Sequence, residues 1–166
     1  SDIVLKDPRM SVLARAWVDA LPHPACVIVQ RHPIACADSL SRYAPDVTTK
    51  LWAEVYVWYY TRISDACRNV PRLVVDHEDI VSDPRGVTRQ LQKFASTIGA
   101  SVVRGVDFET FLLPRGVAFS PITAHYEEEV SKIAVDTWRR LRRGEAVPME
   151  ARPNFSTPSP LNETYA

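Results

Sequence analysis

The stretch ACVIVQRHPIACADSLS at positions 25–41 decides how this chain folds. Its first part, Ala25–Gln30, is a continuous apolar run of strand length, which predicts a central parallel strand buried on both faces. Pro33 follows almost at once and suits the first turn of a helix. Ile34 and Ala37 then fall on the inward face of that helix.

Strands and helices are predicted to alternate along the rest of the chain. Short apolar runs indicate strands, and prolines after a capping residue indicate helix starts. The predicted order begins with a strand at Ile3–Lys6, a helix from Asp7 to about Leu21 with Leu13 and Trp17 facing inward, and the strand at Ala25–Gln30. Two helices follow, from Pro33 to about Tyr43 and from Thr48 or Thr49 to about Arg68. The order ends with a strand at Arg72–Asp76, a helix from Pro84 that ends at Gly99, and a last helix from about Tyr126 to Arg143.

This alternation predicts an α/β domain over residues 1–144, in which helices flank a parallel sheet. Doubly wound sheets usually have about five strands, so three strands indicate a sheet that is incomplete at the N-terminus. Residues 145–166 are rich in proline and poor in apolar side chains, which predicts an extended tail.

The charge balance and composition exclude several classes of protein. Lys and Arg total 20, and Asp and Glu total 20, so bulk charge would not hold this protein to nucleic acid. No apolar run reaches the roughly 18–20 residues that span a bilayer, so no membrane partner is expected. The three cysteines, Cys26, Cys36 and Cys67, follow no metal-ligand spacing. Without a secretory signal, we expect reduced thiols, no bound metal and a cytoplasmic protein.

The placement of glycine excludes the standard nucleotide-binding domains. A loop that cradles phosphate needs residues without a Cβ, so that backbone N–H groups can close around the anion. The first of the five glycines is Gly86, so neither glycine-rich phosphate motif can be written before it. A self-contained kinase or dinucleotide domain of the standard kind is therefore excluded.

Two cations follow predicted strands at the edge where open α/β sheets bind ligands. Lys6 closes the first strand and Arg31 the second, and each precedes a helix N-terminus, which favours an anion. The planar fork of Arg31 matches phosphate or sulfonate oxygens, whereas Lys6 is a point charge suited to a transferring group. Ser39 lies in the second turn of the next helix and reaches the same anion if that helix enters the site obliquely. An exposed arginine and a solvated serine remain the alternative interpretation.

Four segments together resemble the sulfotransferase superfamily, whose members use 3′-phosphoadenosine 5′-phosphosulfate (PAPS). They are KDPR at 6–9, VIVQRHPIACADSL at 27–40, LW at 51–52 and RLVVDHEDIVSDP at 72–84, and the resemblance covers roughly residues 3–98. It implies a P-loop-NTPase-like sheet in which Arg31 and Ser39 bind the 3′-phosphate of PAPS or 3′,5′-ADP. It also implies that Lys6 lies beside the sulfonate being transferred and acts as the catalytic residue.

The chain departs from the family's pattern at three places. The glycine-rich 5′-phosphosulfate loop, which lies upstream of the K-D-P element in the family, is missing together with the usual catalytic base. His77 stands where many members have tyrosine, and His32 where Asp or Asn is common. No histidine is assigned as the base. Arg115-Gly116 is a candidate lid over the 3′-phosphate.

The resemblance implies transfer of a sulfuryl group from PAPS to a hydroxyl or amine of a small-molecule, carbohydrate or peptide acceptor, with this chain supplying the 3′-phosphate site. Two alternatives stay open: an inactive sulfotransferase-like binding module, and a fragment of a P-loop-like small-molecule kinase. Because missing strands would leave a sheet edge unpaired, a homodimer or an N-terminal partner segment is also expected.

Overall fold

Two parallel strands, β1 (Cys26–Gln30) and β2 (Arg72–Asp76), form the sheet in the computed structural model, which describes residues 3–7, 9–100 and 132–148. Their register joins Cys26 to Arg72 at one end and Gln30 to Asp76 at the other. The helices in chain order are α1 (Met10–Ala20), α2 (Pro33–Ser41), α3 (Thr49–Ala66), α4 (His77–Ser82), α5 (Pro84–Thr97) and α6 (Lys132–Arg142). The predicted α/β class is confirmed, with helices in the majority and a small sheet.

Helix α3 is the centre of the packing. It contacts α1, α2 and α6, and nearly every turn of it carries a buried side chain. The largest buried cluster joins three helices and consists of Ile34, Ala53, Tyr56, Val57 and Ala134. The apolar stripe that the sequence places on α3 is therefore core.

Two local signals for helix starts and one for a helix end are confirmed, whereas Arg9, and not the predicted Asp7, occupies the N-cap position of α1. Thr48 accepts a hydrogen bond from the Leu51 N–H at the start of α3, and Asp83 accepts one from the Gly86 N–H at the start of α5. Gly99 ends α5 with a φ of +71°, a conformation that glycine adopts without strain. Helix α4 was not predicted, because its six residues carry too little periodicity to be recognised.

The expectation that β1 is buried on both faces is wrong. Ile28 and Gln30 are buried, but Val27 is 46% exposed and Val29 is 51% exposed. Successive side chains of a strand point to opposite faces, so one face of β1 meets the helices and the other meets solvent. A continuous apolar run does not distinguish these two situations.

The predicted first strand at Ile3–Lys6 is also wrong. The backbone of residues 3–7 is irregular, and Ile3 and Val4 are largely exposed. A strand needs a neighbour to accept its ladder hydrogen bonds, and within the described residues the sheet contains only β1 and β2.

Helix α1 presents a different face to the core from the one predicted. Ala14 is buried against α3, whereas Leu13 and Trp17 are exposed. The helix is apolar over a wide arc, so the sequence did not decide which side packs. Pro8, its predicted first helical position, lies outside the described residues.

The expectation that all three cysteines are reduced thiols is wrong. Cys26 and Cys67 form a disulfide that ties the start of β1 to the end of α3, and Cys36 is free. The pairing joins residues 41 positions apart, so sequence spacing gave no local signal for it.

Several predictions fall on residues 101–131 and 149–166, which lie outside the described part. They include the Arg115-Gly116 lid, the start of the last helix near Tyr126 and most of the tail. The tail's first residues are described, and Val147 among them is buried. In the described ranges, no helix is both long and apolar enough to cross a membrane.

Candidate functional site

The carboxyl ends of β1 and β2 bring four polar residues side by side. Arg31 and His32 follow β1, and His77 and Glu78 follow β2. The register that pairs Gln30 with Asp76 continues past the strands, since one Glu78 carboxylate oxygen accepts a hydrogen bond from the His32 backbone N–H at 3.2 Å. The edge that the sequence indicates as the ligand-binding side is therefore polar on both strands.

The Arg31 side chain is partly buried at this edge. Its Nε atom is buried, and none of the described residues accepts a hydrogen bond from it. A buried donor without an acceptor is costly, and a bound anion would remove that cost. Because arginine presents its N–H groups as a planar fork, this position suits the oxygens of a phosphate or sulfonate.

The N-terminus of α2 adds to the positive potential beside Arg31. Pro33 occupies its first turn, and His32 at the N-cap position makes no side-chain capping hydrogen bond. Free N–H groups and the helix dipole therefore remain available to an anion.

Ser39 lies further along α2 and is partly buried. The Arg31 charge acts on the Cys36 thiol, although burial is the larger effect and raises the pKa of Cys36. Positions three apart share a helix surface, so Ser39 lies on the same side of α2 as Cys36, whose thiol the Arg31 charge influences. Among the described residues, no hydrogen bond joins Arg31 to Ser39.

Lys6 is not brought to this edge by a strand. It is exposed in the irregular segment before α1. Within the described ranges, no ion pair or hydrogen bond joins it to Arg31 or Ser39. Its predicted place depended on the strand at Ile3–Lys6, which the structure does not form.

A polar network beneath the edge was not predicted. The buried Asp76 carboxylate accepts hydrogen bonds from Gln30 Nε2 at 2.7 Å and Trp138 Nε1 at 3.3 Å. Arg142 Nε lies 3.1 Å from its other oxygen. The network anchors α6 to both strands, and the sequence signal for it was a polar residue at the end of each apolar run.

The negative charge of Glu78 opposes the binding of an anion. Its hydrogen bond to the His32 N–H, in contrast, supports the backbone beside Arg31. Its second carboxylate oxygen is buried and has no hydrogen-bond partner in the described part of the chain. The first oxygen holds the turn between Arg31 and α2. The site therefore combines a partly buried cation with a carboxylate that fixes the backbone beside it.

The remaining candidate groups do not form a second site. No cluster of His, Cys, Asp or Glu among the described residues has the arrangement of a metal site. In the arginine-rich last turns of α6, Arg140 pairs with Asp136 and Arg142 with Asp76, so these side chains serve local structure.

Comparison with other proteins adds no relative on which to base an assignment. No protein-family model, curated protein or solved structure matches this chain.

Proposed function

We propose that this chain supplies the 3′-phosphate site of a PAPS-dependent sulfotransferase. The observation that supports the proposal most directly is the buried Nε of Arg31, which lies beside the N-terminus of α2 and has no hydrogen-bond acceptor among the described residues. Arg31 donates to the phosphate oxygens, and the Ser39 hydroxyl adds a further hydrogen bond. The parallel pair β1 and β2 belongs in this proposal to a P-loop-like sheet.

The residues of the site fit this cofactor by charge and position. PAPS, when bound, supplies an activated sulfuryl group that moves to an acceptor hydroxyl or amine. Arg31 and Ser39 grip the ribose 3′-phosphate, far from the reacting atoms, and so contribute orientation. Lys6 stabilises negative charge at the transferring group, and only the K-D-P resemblance supports that role.

The cysteines, rather than the cofactor, are our basis for proposing a cellular compartment. A cytoplasmic protein is the prediction from the sequence, but the Cys26–Cys67 disulfide favours an oxidising compartment, where such bonds persist. We propose that the protein works where this bond stays formed.

Calorimetric titration with 3′,5′-ADP tests the proposed function. Removing a charged bidentate contact costs about 1.5–3 kcal/mol, so Arg31→Ala should weaken binding about 10- to 150-fold. Arg15→Ala is the matched control, because it removes the same charge from the exposed surface of α1.

Other outcomes of the titration separate the alternatives. Wild-type binding that Arg31→Ala leaves unchanged would refute the site. A folded chain without affinity for 3′,5′-ADP indicates a binding module that is not an enzyme, and preference for ATP indicates a kinase fragment.

A further inference from the structure

One peptide group at the candidate site is held at both of its ends. The carbonyl of Arg31 accepts a hydrogen bond from the Tyr56 hydroxyl at 3.0 Å. The N–H of His32, on the same peptide group, donates to a Glu78 carboxylate oxygen at 3.2 Å. The two partners come from different elements, α3 and the first turn of α4.

Holding this peptide group restricts the direction in which the Arg31 side chain leaves the backbone. A peptide group is planar, so fixing its two ends fixes the rotation on either side of it. One of those rotations is ψ of Arg31. The chain also leaves β1 here and enters α2 two residues later.

Tyr56 is well suited to hold a carbonyl. Its ring is buried and packs at 4.4 Å, centroid to centroid, on Tyr60, whose own hydroxyl donates to the Val29 carbonyl at 2.8 Å. Burial raises the pKa of Tyr56 well above its usual range, so its hydroxyl remains a donor.

We infer that Tyr56 and Glu78 are positioning residues that hold Arg31 in a single orientation toward a bound anion. Neither residue contacts that anion. This inference rests on the proposed function, which names the anion as the 3′-phosphate. It goes further in assigning two residues that act only through Arg31.

The first experiment measures affinity for two ligands, 3′,5′-ADP and 5′-AMP, which lacks the 3′-phosphate. Tyr56→Phe should weaken 3′,5′-ADP binding about two- to tenfold, the range for one lost hydrogen bond, and leave 5′-AMP binding unchanged. Glu78→Gln keeps an oxygen acceptor and removes the charge that opposes the anion, so it should bind 3′,5′-ADP at least as tightly as the wild type. Glu78→Ala removes the same charge without keeping the acceptor, and should bind 3′,5′-ADP about two- to tenfold more weakly than Glu78→Gln.

Thr61→Val is the matched control. It removes a buried hydroxyl from the same helix, but that hydroxyl donates to the Trp58 carbonyl and not to β1. It should leave both affinities unchanged. Equal weakening for the two ligands in Tyr56→Phe would show a purely structural role and overturn the inference.

A second measurement does not depend on the ligand. Side-chain NMR couplings of Arg31 report whether its χ1 rotamer is single or averaged. We expect one rotamer in the wild type and Thr61→Val, and averaging in Tyr56→Phe and Glu78→Ala. If 3′,5′-ADP does not bind the wild type, the proposed function fails and these couplings still decide the positioning role. A fixed Arg31 in both variants, or an averaged one in the wild type, overturns it.

Discussion

Asp76 is the residue whose burial most needs explanation, because an isolated buried carboxylate is costly. Gln30, Trp138 and Arg142 each direct a donor at it, and the first of these contacts is itself buried. Two strands and one helix therefore depend on a single side chain.

We predict that Asp76→Ala lowers the free energy of unfolding by about 3 kcal/mol, because it leaves the Gln30 amide buried without its acceptor and removes the partner of Arg142. Urea denaturation measures the change. Arg68→Ala removes an exposed ion pair with Asp65 and should change stability by less than about 0.5 kcal/mol. An Asp76→Ala effect as small as the control would contradict the network.

Some residues of the candidate site can be predicted from the local sequence, and others cannot. The position of Arg31 at the end of β1 was predicted because a cation that follows an apolar run is visible in the local sequence. Asp76 and Glu78 stood in the quoted motif, but their partners lie 46 and 62 residues away and become apparent only in the structure. Lys6 was expected at the same edge because of a strand at Ile3–Lys6 that does not form.

At the scale of elements, the start of α5 combines a cap with a glycine that makes room for it. Asp83 Oδ1 accepts from the Gly86 N–H at 2.8 Å, and a Cβ on Gly86 would overlap the Asp83 carboxylate. Alanine at position 86 would therefore displace the cap while improving helix propensity.

We predict that the sign of the Gly86→Ala effect depends on Asp83. In the wild type, the lost cap offsets the propensity gain and stability does not increase. In an Asp83→Ala background nothing is left to displace, so Gly86→Ala should stabilise by about 1 kcal/mol. Thermal unfolding of the four proteins in this cycle provides the measurement, and equal effects in both backgrounds would refute the coupling.

The Cys26–Cys67 disulfide joins two elements that the chain separates by 41 positions. Closing a loop of this length restricts the unfolded chain, so reduction should lower the free energy of unfolding by about 4 kcal/mol. Urea unfolding with and without reductant measures this change. Cys36→Ser should retain the full response to reductant, whereas Cys26→Ser/Cys67→Ser should lose it. Three titratable thiols in unreduced, denatured protein would exclude the bond.

Elements with strong local signals were predicted well, and elements that depend on distant partners were not. Thr48 and the apolar stripe after it indicate α3, and Arg72–Asp76 matches β2 to the residue. The segment Ile3–Lys6 has the composition of a strand, but composition does not supply a neighbouring strand. Helix α1 has apolar side chains over a wide arc, and only packing on α3 selects Ala14.

At the scale of the whole molecule, the two faces of β1 are unequally covered in the part of the chain that the structure describes, although Val75, beside Val29 on the same face, is buried. Ile28 is buried on the face that meets the helices, and Val29, the next residue, is half exposed on the other. Both are β-branched, and their side chains lie on opposite faces of the same strand. Neighbouring positions in β1 therefore differ in what they contribute to stability.

Matched substitutions test this arrangement. Ile28→Thr removes buried apolar volume and places a hydroxyl in the core, so we expect a loss of about 3 kcal/mol in the free energy of unfolding. Val29→Thr keeps the β-branched shape on a surface half in water, and the change should stay within about 0.5 kcal/mol. Urea denaturation of both variants separates the two faces. If Val29→Thr were as costly as Ile28→Thr, both faces of β1 would be covered in solution, as in the central strand that the sequence alone predicts.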